Sequence, residues 1–181
     1  MKFHTVDRGL VHIYTGDGKG KTTAALGLAL RAISYRKRVL MVQFMKGPWR
    51  SGELNVVGRL RPYLTIRAMG HGFVKIMGDR KPFAVHRRAA QEAFVVAGRA
   101  VRSGRYDIVI LDEVNVAVHE RLVTVAQVRQ LIRSKLRRVE LVLTGRNAPA
   151  TIQKIADYVS EVRMRKHPFQ RGILARPSID Y

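Results

Sequence analysis

The chain reads as an α/β protein of a single domain, residues 1–181, in which a mainly parallel sheet is covered by helices on both faces. Three observations lead there. Near-continuous apolar runs alternate with helix-forming runs, as strands buried on both sides require. A glycine-rich turn at residues 15–23 joins the first apolar run to the first helical one. A later apolar run ends in Asp112-Glu113, and strand ends of this kind are where parallel sheets carry their ligands.

Taken in order, the first strand is predicted over residues 11–14 and the first helix from 21 to about 35. Further strands follow at 39–44, 64–68, 108–111 and 139–144, with a short one near 158–164. Each is a β-branched or aliphatic run bounded by polar or glycine residues. Helices are predicted over 86–101, 125–136 and 149–156. Thr124 followed three residues later by Gln127 is a capping box for the third helix. Pro149 suits the first turn of the fourth. Residues 46–82 are different, with six glycines and prolines at 48, 62 and 82. They read as loops around one strand, and long loops at the ligand-bearing edge of such a sheet usually carry function.

The composition narrows the chemistry. The 181 residues suffice for a buried core, and the absence of cysteine excludes disulfides, thiol catalysis and cysteine metal sites. The first eight residues hold no apolar signal segment, and no run approaches the ~18 residues of a membrane span. The expectation is a soluble cytoplasmic protein without a membrane partner. Lys and Arg number 34 against 13 Asp and Glu, a net charge of +21. Such a charge favours anionic partners but is equally a general solubility bias. The basic residues are dispersed and are not interleaved with aromatic residues as in RNA-binding segments.

The turn itself is Thr15-Gly16-Asp17-Gly18-Lys19-Gly20-Lys21-Thr22-Thr23. Its glycines let backbone N–H groups turn inward on an anion, and the helix that follows adds partial positive charge. Lys21 is placed to neutralise phosphate oxygens and the Thr22 hydroxyl to ligate Mg²⁺. One position departs from the common phosphate-loop pattern G-x-x-x-x-G-K-[ST], because its first glycine falls on Thr15 and a glycine stands instead at 16.

Asp112 and Glu113 form the second nucleotide element, where Mg²⁺ needs oxygen ligands directly or through water. If the strand continued, the two side chains would point to opposite sides and only one would face the metal. Glu113 is a water activator in a hydrolytic reading and a Mg²⁺ holder in a non-hydrolytic one. Arg146, in Leu143-Thr-Gly-Arg146, closes another strand, where its planar fork suits phosphate or ribose; a solvated turn is the plain alternative. His71, His86, His119 and His167 have no metal-ligand spacing and read as structural or surface residues. Trp49 is a ligand contact or a loop anchor.

Read together, these segments resemble one family. Residues 15–25, then Val42-Gln-Phe-Met-Lys-Gly47 with Gly52-Glu53, are similar to the corrinoid adenosyltransferases of cobalamin biosynthesis and salvage. Leu111-Asp-Glu113, Leu143-Thr-Gly-Arg146 with Ala148-Pro149, Ala156-Asp157, Lys166-His-Pro-Phe169 with Gly172, and Ile179-Asp180-Tyr181 follow in that family's order. The resemblance implies a RecA-like P-loop fold of three layers, usually a homodimer. It implies transfer of the 5′-deoxyadenosyl group of ATP to a cobalt(I) corrinoid, with the nucleotide reversed from its usual orientation and the triphosphate held as a leaving group. On that reading Thr15 is tolerated because no γ-phosphate is aligned for attack by water.

The resemblance also implies that the corrinoid lies over residues 46–82. There Phe73 matches a family aromatic that strips the lower axial ligand from cobalt, while Lys75 stands where many members carry tryptophan. The longer N-terminal segment of some members has no counterpart here. The acceptor is complete cobalamin or an earlier corrinoid such as the a,c-diamide of cobyrinic acid, and a flavoprotein reductant with an acidic face would suit the basic surface. No nucleic-acid partner is expected. Two other readings compete: a RecA-like ATPase acting on nucleic acid, favoured by Glu113 and the +21 charge, and a nucleotide-binding regulatory module that neither hydrolyses nor transfers.

Overall fold

The computed structural model describes residues 8–46, 51–74 and 78–180. Trp49 and Lys75, singled out above, lie outside the described residues. Strand β1 (Val11–Thr15) leads through the glycine-rich turn into α1 (Lys21–Ser34), and β2 (Val39–Gln43) follows. A short helix α2 (Glu53–Val56) and a 3₁₀ turn (Val57–Leu60) precede β3 (Leu64–Ala68). The long α3 (Phe83–Ser103) leads to β4 (Ile108–Asp112), then α4 (Val114–His119) and α5 (Val125–Ser134). The chain continues through β5 (Glu140–Thr144), α6 (Ala150–Gln153), β6 (Tyr158–Glu161) and a 3₁₀ turn at Pro168–Arg171.

The strands form one sheet in the order β3-β2-β4-β5-β1-β6, and every pairing is parallel. The expected mainly parallel sheet is therefore wholly parallel. Its central strands alternate between two cores, as a period of two demands. Leu40, Val42, Val109, Leu111, Leu141 and Leu143 face one way, against Ala90, Ala93, Ala97 and Ala100 of α3. Val39, Met41, Ile108, Ile110 and Val142 face the other way, against Ala25, Ala29 and Ala32 of α1. Both helices turn alanines to the sheet, so they pack close and the register of each is set by small side chains. Among the described residues, no helix is long and apolar enough to cross a membrane.

Parallel pairing gathers all strand ends at one edge. Gln43 lies opposite both Ala68 and Asp112, Tyr14 opposite Thr144, and Thr15 opposite Glu161. The glycine-rich turn, the acidic pair, the end of β5 and the loops after β2, β3 and β6 therefore share one rim. The opposite end of the sheet is closed by polar ties. Asp157 accepts from Val11 N–H (2.9 Å) and from Arg8 (2.9 Å), and Glu140 pairs with His12 and accepts from Leu10 N–H (2.8 Å).

Several elements differ from expectation, among them the short helix α2 and the 3₁₀ turn after it, which lie where only loops around one strand were expected. The helix expected over 149–156 is only Ala150–Gln153: Pro149 (ψ 135°) is extended and caps it rather than starting it, and residues 154–155 form a turn. Helix α4 was not foreseen. Its Val-Asn-Val-Ala-Val-His stretch carries β-branched residues that favour strands, and it is helical because the chain reverses at Glu113.

The Thr124 capping box forms as expected, with Gln127 N–H donating to Thr124 Oγ1 (3.1 Å) and Thr124 N–H to Gln127 Oε1 (2.8 Å). Thr124→Ala should lower the unfolding free energy by about 1 kcal/mol, seen as a lower urea midpoint with unchanged slope. Ala93→Leu, at a fully buried position of α3, should cost about 1–3 kcal/mol by overpacking the helix against the sheet.

Candidate active site

The glycine-rich turn is shaped by backbone demands. Gly16 (φ 98°) lies so close to the chain after β6 that a Cβ would sit 2.4 Å from the Val162 carbonyl oxygen. Gly20 (φ 120°) turns the chain into α1, which has neither a capping side chain nor an acid in its first turn. Its first N–H groups are thus left to an anion. Gly18 N–H donates to Val162 O (2.8 Å), and Met164 N–H to Asp17 Oδ1 (3.1 Å). That second bond holds the Asp17 carboxyl below its ordinary range. Asp17 therefore fixes the turn to the chain after β6. Thr15, at the unusual position, is buried and its Oγ1 accepts from Ala148 N–H (3.2 Å). It ties the start of the turn to the loop after β5, a bond that glycine there could not make.

Lys21 is buried and folds back on its own turn, its Nζ donating to Gly16 O (2.8 Å) and Gly18 O (2.6 Å). Burial lowers its pKa, with the Arg146 charge acting in the same direction against Glu113. Thr22 Oγ1 donates to Asp112 Oδ1 (2.8 Å), so the turn and the acidic strand end are in direct contact. Asp112 is fully buried, and burial pushes its carboxyl up against the opposing pull of its donors. Those donors are the hydroxyls of Thr144 (2.8 Å) and Thr22, with the Gln43 amide further off at 3.4 Å.

The strand ends at Asp112, and Glu113 takes a left-handed conformation (φ 62°) as the N-cap of α4. The expected opposition of the two carboxylates along a continuing strand therefore does not arise. The strain of a left-handed non-glycine residue, about 1–2 kcal/mol, is held by the Glu113 N–H bond to Thr144 Oγ1 (2.9 Å). Burial, and then the Asp112 charge, push the Glu113 carboxyl up to about 7, against Lys21, Lys46 and Arg146. Its Oε2 is buried with no hydrogen-bond partner among the described residues. Gly145 (φ 125°) leaves it room, since a Cβ there would lie 3.1 Å from that oxygen. The Thr22 hydroxyl and Asp112 are in contact, and with the neighbouring Glu113 carboxyl they offer oxygen donors of the kind hard divalent cations take.

The remaining predicted residues are spread around this centre. Lys19 and Thr23 are exposed on the turn, and Arg146 is exposed on the loop after β5. Arg146 lines an open groove of about 1010 Å³ beside the turn, together with Thr15, Gly16, Arg163 and Arg165. Phe73 is 39% exposed after β3, at the far side of the rim. Two residues that the sequence reading gave no role complete the centre. Thr144 bridges Asp112 and the Glu113 backbone, and the fully buried Gln43 donates to Glu53 Oε1 (2.7 Å), linking Asp112 to the loop after β2. Both have the signal that exposed Asp112: a polar residue closing an apolar strand.

The profile of the family described as ATP:corrinoid adenosyltransferase BtuR/CobO/CobP matches residues 7–181. The corrinoid adenosyltransferase of Escherichia coli (strain K12) is 36% identical over 176 residues, 97% of this chain and 87% of that protein. One from Sinorhizobium sp is 34% identical over 183 residues, covering 100% and 84%. Corrinoid adenosyltransferase CobA of Salmonella typhimurium (strain LT2) is 34% identical over 176 residues, covering 97% and 87%.

The Glu113 carboxyl yields a prediction for the metal-free chain. Its folded pKa of about 7 lies above the ordinary 4.5, so the folded state keeps a proton that the unfolded chain has released between these values. The contribution of Glu113 to stability therefore falls as pH rises through this window, by up to about 3 kcal/mol, and levels off above it. Glu113→Gln should accordingly gain stability over the parent protein as pH is raised from 4.5 to 7.5. Urea unfolding in the presence of a chelator checks this, and a difference independent of pH would refute it.

Proposed function

The chain belongs to the ATP:corrinoid adenosyltransferase family, and from its activity as a corrinoid adenosyltransferase of cobalamin biosynthesis we propose how its residues perform the transfer. The observation that carries the reading is the contact between Thr22 and Asp112 (2.8 Å) beside the buried Lys21. It unites a phosphate-binding turn and a carboxylate in one centre. Residues 15–23 hold the triphosphate of ATP through backbone N–H groups and through Lys21, whose ammonium moves from the carbonyls of Gly16 and Gly18 to phosphate oxygens. Mg²⁺ fits the oxygen donors at this centre, and when bound it neutralises phosphate charge. Thr22, Asp112 and the free oxygen of Glu113 are its holders. One or two carboxylates plus phosphate oxygens suffice for this ion.

The reaction needs no protein base. The cobalt(I) electron pair attacks C5′ of ATP, the Co–C bond forms, and the C5′–O bond breaks with its electron pair leaving on the triphosphate. Negative charge develops on the leaving oxygen, where Lys21 and the helix N-terminus stabilise it. Arg146 adds its charge from the loop after β5. Glu113 in this scheme is a metal holder rather than a water activator, consistent with a carboxyl that needs a cation to ionise fully at neutral pH. The rest of the protein's contribution is to position C5′ against cobalt and exclude water.

The corrinoid lies over the loops after β2 and β3, with Phe73 as an apolar wedge under the ring. We take residues 1–181 as one catalytic domain that works as a cytoplasmic homodimer, and a flavoprotein with an acidic face as the electron donor suited to a chain of net charge +21.

Incubation with ATP, Mg²⁺ and a chemically reduced corrinoid should give inorganic triphosphate and a light-sensitive alkyl-cobalt spectrum. ADP and phosphate, released faster with DNA or RNA, would overturn the reading. Lys21→Ala should lower kcat by about 10²-fold or more, the loss typical of removing one such charge-stabilising donor. Phe73→Ala should slow transfer to complete cobalamin about tenfold, near 1.4 kcal/mol of barrier. Transfer to a corrinoid without a lower ligand should change little, and equal losses on both acceptors would remove Phe73 from this role.

A further inference from the structure

Lys19, the first lysine of the turn, is already engaged. Its Nζ donates to the Ile179 carbonyl (2.7 Å) and pairs with Asp180 Oδ1 (2.7 Å). Asp180 is presented by a turn of its own. Its Oδ2 accepts from Arg176 N–H (2.9 Å) and lies 3.7 Å from the Arg176 guanidinium, while Asp180 N–H donates to Arg176 O (2.9 Å). A carboxylate with these partners stays ionised, and the Lys19 and Arg176 bonds pull it down to about 2. An anion is thus held on the rim of a turn built to take anions.

Among the described residues, little else holds this segment. Leu174 is 75% exposed, Phe169 70% and Ile179 55%, so apolar burial contributes little to keeping it in place, and segments of that kind open at low free-energy cost. The link to Lys19 is a partly exposed ion pair, worth little beside what a polyanion offers the same ammonium. An Asp180 carboxylate left beside Lys19 would also repel incoming phosphates.

We propose that Asp180 is a built-in competitor for the triphosphate at Lys19, a carboxylate that occupies the lysine between turnovers and gives it up when phosphates arrive. This rests on the reading that residues 15–23 hold the triphosphate. The same competition assists release of the product, since the carboxylate recaptures Lys19 as triphosphate leaves. Asp180 thereby tunes both nucleotide affinity and product inhibition without touching the reacting atoms.

The test is titration calorimetry of inorganic triphosphate with Mg²⁺ onto the full chain. Asp180→Asn keeps the side chain's size and its acceptor for Arg176 N–H but removes the charge. It should bind triphosphate about two- to fivefold more tightly than the parent, the span expected for a partly exposed pair. Asp180→Glu should stay near the parent value, and in a Lys19→Gln background Asp180→Asn should have no effect. A purely structural role would predict weaker binding on loss of the charge. Unchanged or weaker binding in Asp180→Asn, with the parent binding normally, overturns this inference alone. Failure of the parent chain to bind triphosphate overturns the reading of the turn, and the inference with it.

Discussion

The rim of this sheet is organised around one buried carboxylate. Asp112 is fully buried at the end of β4, and a charge there is tolerated only if its oxygens find donors. The donors come from three separate elements: Thr22 from α1, Thr144 from β5 and Gln43 from β2. Thr144 and Gln43 are brought to hand by parallel pairing with β4, and Thr22 by the turn that leads from β1 into α1. The satisfaction of a single anion therefore fixes how the glycine-rich turn, the middle strands and the loop after β2 stand relative to one another. Removing any one donor would leave the carboxylate short of partners and loosen the element that supplied it.

Glu113 depends on this arrangement. Its left-handed backbone is held by the same Thr144 hydroxyl that donates to Asp112, and its raised pKa follows from burial beside that charge. A strained backbone, an unpartnered oxygen and a carboxyl near neutrality coincide at one residue. Such features are retained at functional sites because a ligand resolves them. In a corrinoid adenosyltransferase the proposed ligand is the cation that accompanies ATP.

Much of this was legible in the residues themselves. The strands were visible because β2, β4 and β5 are apolar on both faces, and the turn because Gly18, Gly20 and Lys21 stand between a strand and a helix. Asp112 was visible as a charge ending an apolar run. Helix α4 was hidden, since its valines speak for a strand and only the reversal at Glu113 decides otherwise. The work of Thr15 was hidden too. Its hydroxyl bonds to Ala148 N–H, 133 positions away along the chain, and no local pattern encodes a partner at that distance. The roles of Gln43 and Thr144 were obscured for a related reason: a neutral polar residue at a strand end matters only through the charge it meets.

The resting posture of Lys21 has a consequence for selectivity. With its ammonium bonded to the carbonyls of Gly16 and Gly18, the turn keeps its shape without any anion, and no collapse must be reversed before binding. Yet each incoming anion is matched against those two carbonyls rather than against bulk water. If residues 15–23 hold the triphosphate as proposed, monovalent ions and isolated phosphate gain little from that exchange, while linked phosphates would engage the lysine, the turn and the helix end together. On the proposed reading of residues 15–23, the self-bonded lysine would work as a threshold that favours polyphosphate over small single anions.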